Sequence, residues 1–174
     1  MNKLLFILLN FAIIHSAVAQ TPESSTNKLP EIDIKKPDGN GFNTREIKND
    51  GKPVIISFWA TWCKPCVNEL SAIADQYADW QKETGVKLIA VSIDDSRSIA
   101  KVAPFVNARN WEYEVYVDPN SDFKRAMNVN NVPHTFLLNG KGEVVWQHTS
   151  YTPGDEVKLY ENIKKVLQGQ PISE

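Results

Sequence analysis

The chain is poor in the residues that build staples and metal centres: of 174 residues, two are Cys, two are Met and three are His. Two cysteines exclude a disulfide-stapled scaffold, because small exported domains that rely on such bridges carry several. A structural zinc site needs four ligands at recognisable spacing. Only His134 and His148 lie beyond the first twenty residues, and neither stands near the Cys pair, so no metal or cofactor is expected. An excess of one charge is missing as well. Nineteen Lys and Arg against 21 Asp and Glu leave a formal net charge of −2, which offers no electrostatic footprint for nucleic acid or an anionic membrane. Nor is there an apolar run of the ~20 residues that a bilayer-spanning helix requires. Internal repeats and low-complexity tracts are absent from the sequence.

What is present begins at the N-terminus. Lys3 precedes an apolar run from Leu4 to Ile14, broken only by Asn10, and Ala17-Val18-Ala19 supplies the small-x-small pattern of a cleavage site. Residues 1–19 therefore read as an export signal, with a retained membrane anchor as the competing reading. Removal of the signal leaves 174 − 19 = 155 residues, the size of one domain. Residues 20–29 are polar and aperiodic, as expected of a flexible linker, and a single domain is expected over 30–170.

Within that domain the pattern alternates between strand and helix. Glu31-Ile32-Asp33-Ile34 alternates like a half-buried strand and is followed by a turn at Pro37-Asp38-Gly39-Asn40-Gly41. Pro53 to Trp59 reads as a buried strand, Cys66 to Glu83 as an amphipathic helix stopped by Gly85, and Lys87 to Ile93 as a strand. Ser96 is the expected N-cap of a second helix carrying Ile99, Val102 and Val106, with a kink or broken start at Pro104. Tyr113 to Val117 reads as a strand and Phe123 to Met127 as a short helix. Thr135 to Leu138 and Glu143 to Gln147 form a hairpin across Asn139-Gly140-Lys141-Gly142, and Val157 to Leu167 is a last helix ended by Gly169. This order implies an α/β fold: a central mixed sheet with helices on both faces and an N-terminal strand extension.

The two cysteines lie three apart, in Trp62-Cys63-Lys64-Pro65-Cys66, where strand 53–59 meets helix 66–83. A bridge that closes so small a loop stabilises little on loop-entropy grounds, so the pair suits switching better than stapling. A helix N-terminus offers unpaired N–H groups and partial positive charge, both of which favour a thiolate. Cys63 is thus expected to be the nucleophile, and Cys66, one turn on and more buried, the resolving thiol. Pro65 suits the first turn because it has no N–H to leave unpaired. Lys64 adds a positive charge between the sulfurs, and Trp62 offers an apolar contact to a client. Haem attachment would require His directly after Cys66, where Val67 stands.

The segment Ser57-Phe58-Trp59-Ala60-Thr61-Trp62-Cys63-Lys64-Pro65-Cys66 resembles the active-site signature of thioredoxin-like proteins. Glu69, three residues after Cys66, resembles the WCxPCxxE variant of the TlpA/ResA/CcmG-type periplasmic thiol–disulfide oxidoreductases, and Val132-Pro133-His134-Thr135-Phe136-Leu137-Leu138 looks like their cis-proline loop and following strand. The resemblance covers about residues 30–168. It implies a thioredoxin-like fold, a cis Val132–Pro133 bond facing the cysteines, and a monomeric periplasmic enzyme. The enzyme would exchange a Cys63–Cys66 disulfide with protein clients. The implied direction is reducing, with a membrane thiol transporter upstream and cytochrome c maturation or disulfide repair downstream. Residues 62, 64, 65 and 132–134 (Trp62, Lys64, Pro65, Val132, Pro133 and His134) would meet the client.

Two departures stand out. Cytoplasmic thioredoxins have a buried Asp where this chain has Ser57, and usually a Lys facing it where Ala90 stands. Glu69 is the substitute candidate for proton handling at Cys66. His134 would tune the thiolate or touch the client, or else serve as a structural His within the sheet. Two other chemistries use similar cysteine pairs. A peroxidase of the peroxiredoxin type carries PxxxTxxC, but Thr61 is two residues before Cys63 and the upstream Pro is missing. A copper carrier of the Sco type uses CxxxC plus a His.

Overall fold

The computed structural model describes residues 27–172. Seven strands form one mixed sheet: β1 (Asp33–Lys35), β2 (Gly41–Asn43), β3 (Val54–Trp59), β4 (Lys87–Ser92), β5 (Glu114–Val117), β6 (His134–Leu138) and β7 (Val144–Thr149). Their order is β2-β1-β5-β4-β3-β6-β7. The central β3, β4 and β5 are parallel, while β6, β7 and the β1–β2 hairpin are antiparallel to their neighbours. Every residue of β3 is buried, which explains its unbroken apolar run: a central strand has both faces covered.

The two faces collect different side chains. Ile55 and Trp59 of β3, Leu88 and Ala90 of β4 and Leu137 of β6 share a cluster with α1 (Lys64–Ala74), α2 (Tyr77–Thr84), α3 (Val102–Asn107) and α5 (Asp155–Leu167). Ile56, Phe58, Ile89, Val91, Phe136 and Leu138 face the other layer, where Phe123 of α4 (Asp122–Ala126), Ile34 and Phe42 cover them. Helices therefore lie on both faces, as expected, although four of the five share one.

The single helix expected over 66–83 is two. α1 already starts at Lys64, and Gln76 leaves helical geometry (φ −120°, ψ −3°) before α2 begins. The break turns Tyr77 inward, where its hydroxyl accepts the Leu88 N–H at 2.9 Å and ties the helix to the start of β4. Gly85, in the left-handed region, ends α2. The second helix has the broken start expected near Pro104, as a 3₁₀ turn over Ile99–Lys101. Its N-cap is Ser98 rather than Ser96, without a side-chain cap bond, and Asp95 just upstream accepts the N–H groups of Arg97 and Ser98.

The expected signal over 1–19 and most of the expected linker lie outside the described residues. The last residues of that linker segment meet the hairpin: the Asn27 carbonyl accepts the Val144 N–H at 2.7 Å, and Lys28 pairs with Glu143 just before β7. Among the described residues no helix is long and apolar enough to cross a membrane.

Candidate active site

Cys63 is the N-cap of α1 and is joined to Cys66 by a disulfide. Its Sγ accepts the Cys66 N–H at 3.3 Å and its carbonyl the Val67 N–H at 3.1 Å. The Cys63 sulfur thus sits at the helix start, where N–H donors favour negative charge. Cys66 is fully buried, and Cys63 is 6% exposed. Trp62 projects beside them with 66% of its surface exposed. Lys64 and Pro65 are exposed in the first turn of α1.

The turn that presents Cys63 is closed by its N–H on the Ala60 carbonyl (3.0 Å). It is also held from the next strand. Asp94, fully buried just past β4, accepts the Thr61 N–H (2.8 Å), the Thr61 hydroxyl (2.7 Å) and the Ser92 hydroxyl (2.7 Å). Sequence reasoning missed Asp94. Its signal was position: an acidic residue directly after a buried strand that ends beside the catalytic turn.

Glu69 faces inward from α1, three residues after Cys66 and on the same side of the helix. It is 5% exposed, and Thr135 of β6 donates to its Oε1 at 2.7 Å. The Thr135 hydroxyl also lies 3.1 Å from that of Ser57 on β3. Burial pushes the Glu69 carboxyl up to about 7, against the pull of the Thr135 and Ser57 hydroxyls, and the charges of Asp155 and Glu156 on α5 add to the push. Oε2 has no partner among the described residues. The site thus holds a carboxyl that can take or release a proton near neutral pH.

The Val132–Pro133 bond is cis, as the resemblance implies. Phe58 pairs with His134 at the end of β3 that leads to the cysteines, and Val132 packs against the cluster containing both sulfurs. The Pro133 carbonyl is tied down by the Ser150 N–H at 3.0 Å. His134 is the exception among the expected site residues. It turns to the opposite face, stacks on Phe136 at 4.4 Å, and places Nε2 3.1 Å from the Gln147 Oε1. Burial holds its imidazole below the ordinary His range. Strand alternation is the reason: Thr135, not His134, shares the face of Ser57 and Glu69. A His-plus-CxxC copper set is therefore not assembled by His134.

The AhpC/TSA family model matches residues 26–147, well over half of the chain. The chain belongs to the AhpC/TSA family. Within it the chain is 30% identical over 154 residues to the thiol–disulfide oxidoreductase ResA of Bacillus subtilis (strain 168), a match spanning 87% of this chain and 83% of that protein. Among solved structures, a thioredoxin-like protein from Porphyromonas gingivalis is similar at 48% identity, with a TM-score of 0.73 over 83% of this chain and 95% of that one. A protein from Chlorobium tepidum described as a thiol:disulfide interchange protein DsbE is 26% identical, with a TM-score of 0.70 over 82% and 96% of the two chains. The fold is thioredoxin-like, and the family member described here is a thiol–disulfide oxidoreductase with a CxxC pair.

Proposed function

We propose that this enzyme reduces disulfides of protein clients outside the cytoplasm. The observation that carries the reading is a disulfide at the N-terminus of α1 with a buried, neutral-range carboxyl, Glu69, one turn behind it. In the dithiol form the Cys63 thiolate attacks one sulfur of the client disulfide. A Cys63–client mixed disulfide forms, and the first client thiolate leaves and takes a proton from solvent. Glu69 then accepts the Cys66 thiol proton. The Cys66 thiolate attacks the Cys63 sulfur, the Cys63–client bond breaks, and the second client sulfur leaves as a thiolate that takes up the proton Glu69 had accepted. The enzyme is left as the Cys63–Cys66 disulfide and is returned to the dithiol by an upstream thiol donor. A membrane thiol–electron transporter fits that role.

Trp62 and the Val132–Pro133 edge flank the sulfurs and would receive an extended client segment by main-chain pairing. Disulfide-bonded apocytochrome c and misbridged envelope proteins are the client classes that fit such a reductant. A monomer suffices, since every group named lies on one chain.

A trapping experiment tests the role of each sulfur. With a disulfide-bearing peptide, Cys66→Ser accumulates a mixed disulfide that is visible by mass spectrometry, whereas Cys63→Ser does not. Equal trapping by both variants refutes the assignment. The reduction potential sets the direction: a value near that of thioredoxin, about −270 mV, supports a reductant, and one near −120 mV an oxidant.

A further inference from the structure

We propose that Thr135, backed by Ser57, is a positioning residue that anchors Glu69 Oε1 and thereby leaves Oε2 as the atom that exchanges a proton with Cys66. The proposal rests on Glu69 acting as the proton acceptor. It follows from counting hydrogens. A hydroxyl carries one proton and two lone pairs, yet Thr135 Oγ1 lies 2.7 Å from Glu69 Oε1 and 3.1 Å from Ser57 Oγ. Its single proton goes to the carboxylate, the shorter and charge-assisted contact. With that proton spent, we assign the 3.1 Å contact to the Ser57 hydroxyl donating to Thr135, so that the three groups form a directed chain from Ser57 through Thr135 to Glu69, along which Ser57 also favours the charged carboxyl. Ser57 is 0% and Thr135 1% exposed, so water does not compete, and each bond polarises the next.

The consequences differ for the two carboxyl oxygens. Oε1 is engaged by a donor whether Glu69 is charged or neutral, since a protonated carboxyl keeps one carbonyl oxygen. Oε2 has no partner among the described residues. A proton taken from the Cys66 thiol is therefore placed on Oε2 without disturbing the chain: the S–H bond breaks, the O–H bond forms, and the electron pair stays on sulfur. The other charged or titratable groups around the carboxyl are Asp155 and Glu156 from α5, together with the Tyr113 and Tyr151 phenols. Tyr151 donates to Glu156 at 2.7 Å, and Asp155 lies 3.5 Å from the His148 Nε2. None of them offers the donor that Thr135 supplies to Oε1.

The test reads the Cys66 step directly. Reduced enzyme is mixed with the disulfide of thionitrobenzoate in a stopped-flow instrument. The first thionitrobenzoate release marks attack by Cys63, and the second marks attack by Cys66 on the adduct. Thr135→Val removes the donor at nearly constant shape, which should move the pH midpoint of the second release upward by about 1 to 2 units. Thr135→Ser should restore it, and Ser57→Ala should move it in the same direction by less. In a Glu69→Gln background Thr135→Val should have no further effect. A Thr135→Val midpoint equal to that of the wild type overturns the proposal. So does a Thr135→Ser midpoint displaced as far as that of Val. Should Thr135→Val fail to fold, Ser57→Ala decides from the other end of the chain, and an unmoved midpoint refutes it. If Glu69→Gln abolishes the midpoint while Thr135→Val leaves it in place, only the anchoring fails. If Glu69→Gln keeps the wild-type midpoint, the proton-acceptor reading falls, and the anchoring with it.

Discussion

Replacement of Glu69 by Gln should flatten part of the pH dependence of stability. The folded-state carboxyl titrates at about 7 against an ordinary value of 4.5. Between those pH values the unfolded chain has released this proton and the folded chain still holds it. Stability therefore falls as pH rises through the window, and the loss is complete above about pH 7. A gap of about 2.5 units at 1.36 kcal/mol each corresponds to about 3 kcal/mol, and with Glu69 only 5% exposed solvent screening does little to reduce it. In the Gln variant that slope is absent. Its amide oxygen still accepts from Thr135, whereas its NH₂ occupies the place of the unpartnered Oε2. This adds an offset in stability, but one that is constant with pH. The informative quantity is thus the wild-type stability minus that of Glu69→Gln at each pH, in which all other titrating groups cancel. Urea unfolding of the oxidised protein in steps from pH 4 to pH 8 measures it. The difference should drop by about 3 kcal/mol across the window. Parallel profiles, or a difference that grows with pH, would refute the account of Glu69 as a buried, desolvated carboxyl.

Two further outcomes follow from contacts outside the carboxyl site. Asp94→Ala strands the Thr61 N–H and the Thr61 and Ser92 hydroxyls, so urea unfolding should show a loss of about 2–4 kcal/mol. Asn, which keeps one acceptor oxygen, should lose less, and a neutral Ala variant would show that the catalytic turn does not depend on this clamp. A Cβ on Gly140 would sit 2.0 Å from the Gly51 carbonyl oxygen. Gly140→Ala should therefore lower stability by at least about 2 kcal/mol, whereas Gly41→Ala, with nothing within 4 Å, serves as the near-neutral control.

The strand runs and the CxxC turn were legible because each rests on local chemistry: apolar periodicity, a proline suited to a first helical turn, and two cysteines one turn apart. Glu69 was legible by its spacing from Cys66. What placed it in a proton-handling environment was not, because Thr135 is 66 residues away in sequence and meets it only through the antiparallel pairing of β6 with β3. The alternation rule could have found this. On a central strand whose alternate residues are large and apolar, an inward-facing Thr is a buried hydroxyl in need of a partner. The same rule would have sent His134 to the other face. The split of the helix at Asp75–Gln76 was hidden for a similar reason, since Leu70, Ile73 and Tyr77 keep helical spacing straight through it. Tyr77 leaves that line to reach the Leu88 N–H, a tertiary contact that no local pattern encodes.

The bridge between Lys28 and Glu143 fixes where the chain enters the domain. Glu143 lies at the turn of the β6–β7 hairpin, which follows Leu138, the partner of Val54 at the start of β3, whereas Cys63 follows the far end of that strand. Six strand residues, or about 20 Å, separate the two poles. A membrane, a bead or a fusion partner attached upstream of Asn27 would thus be joined to the pole away from the disulfide. The pole that carries the disulfide would point away like the tip of a probe, able to meet clients without being shadowed by its own tether.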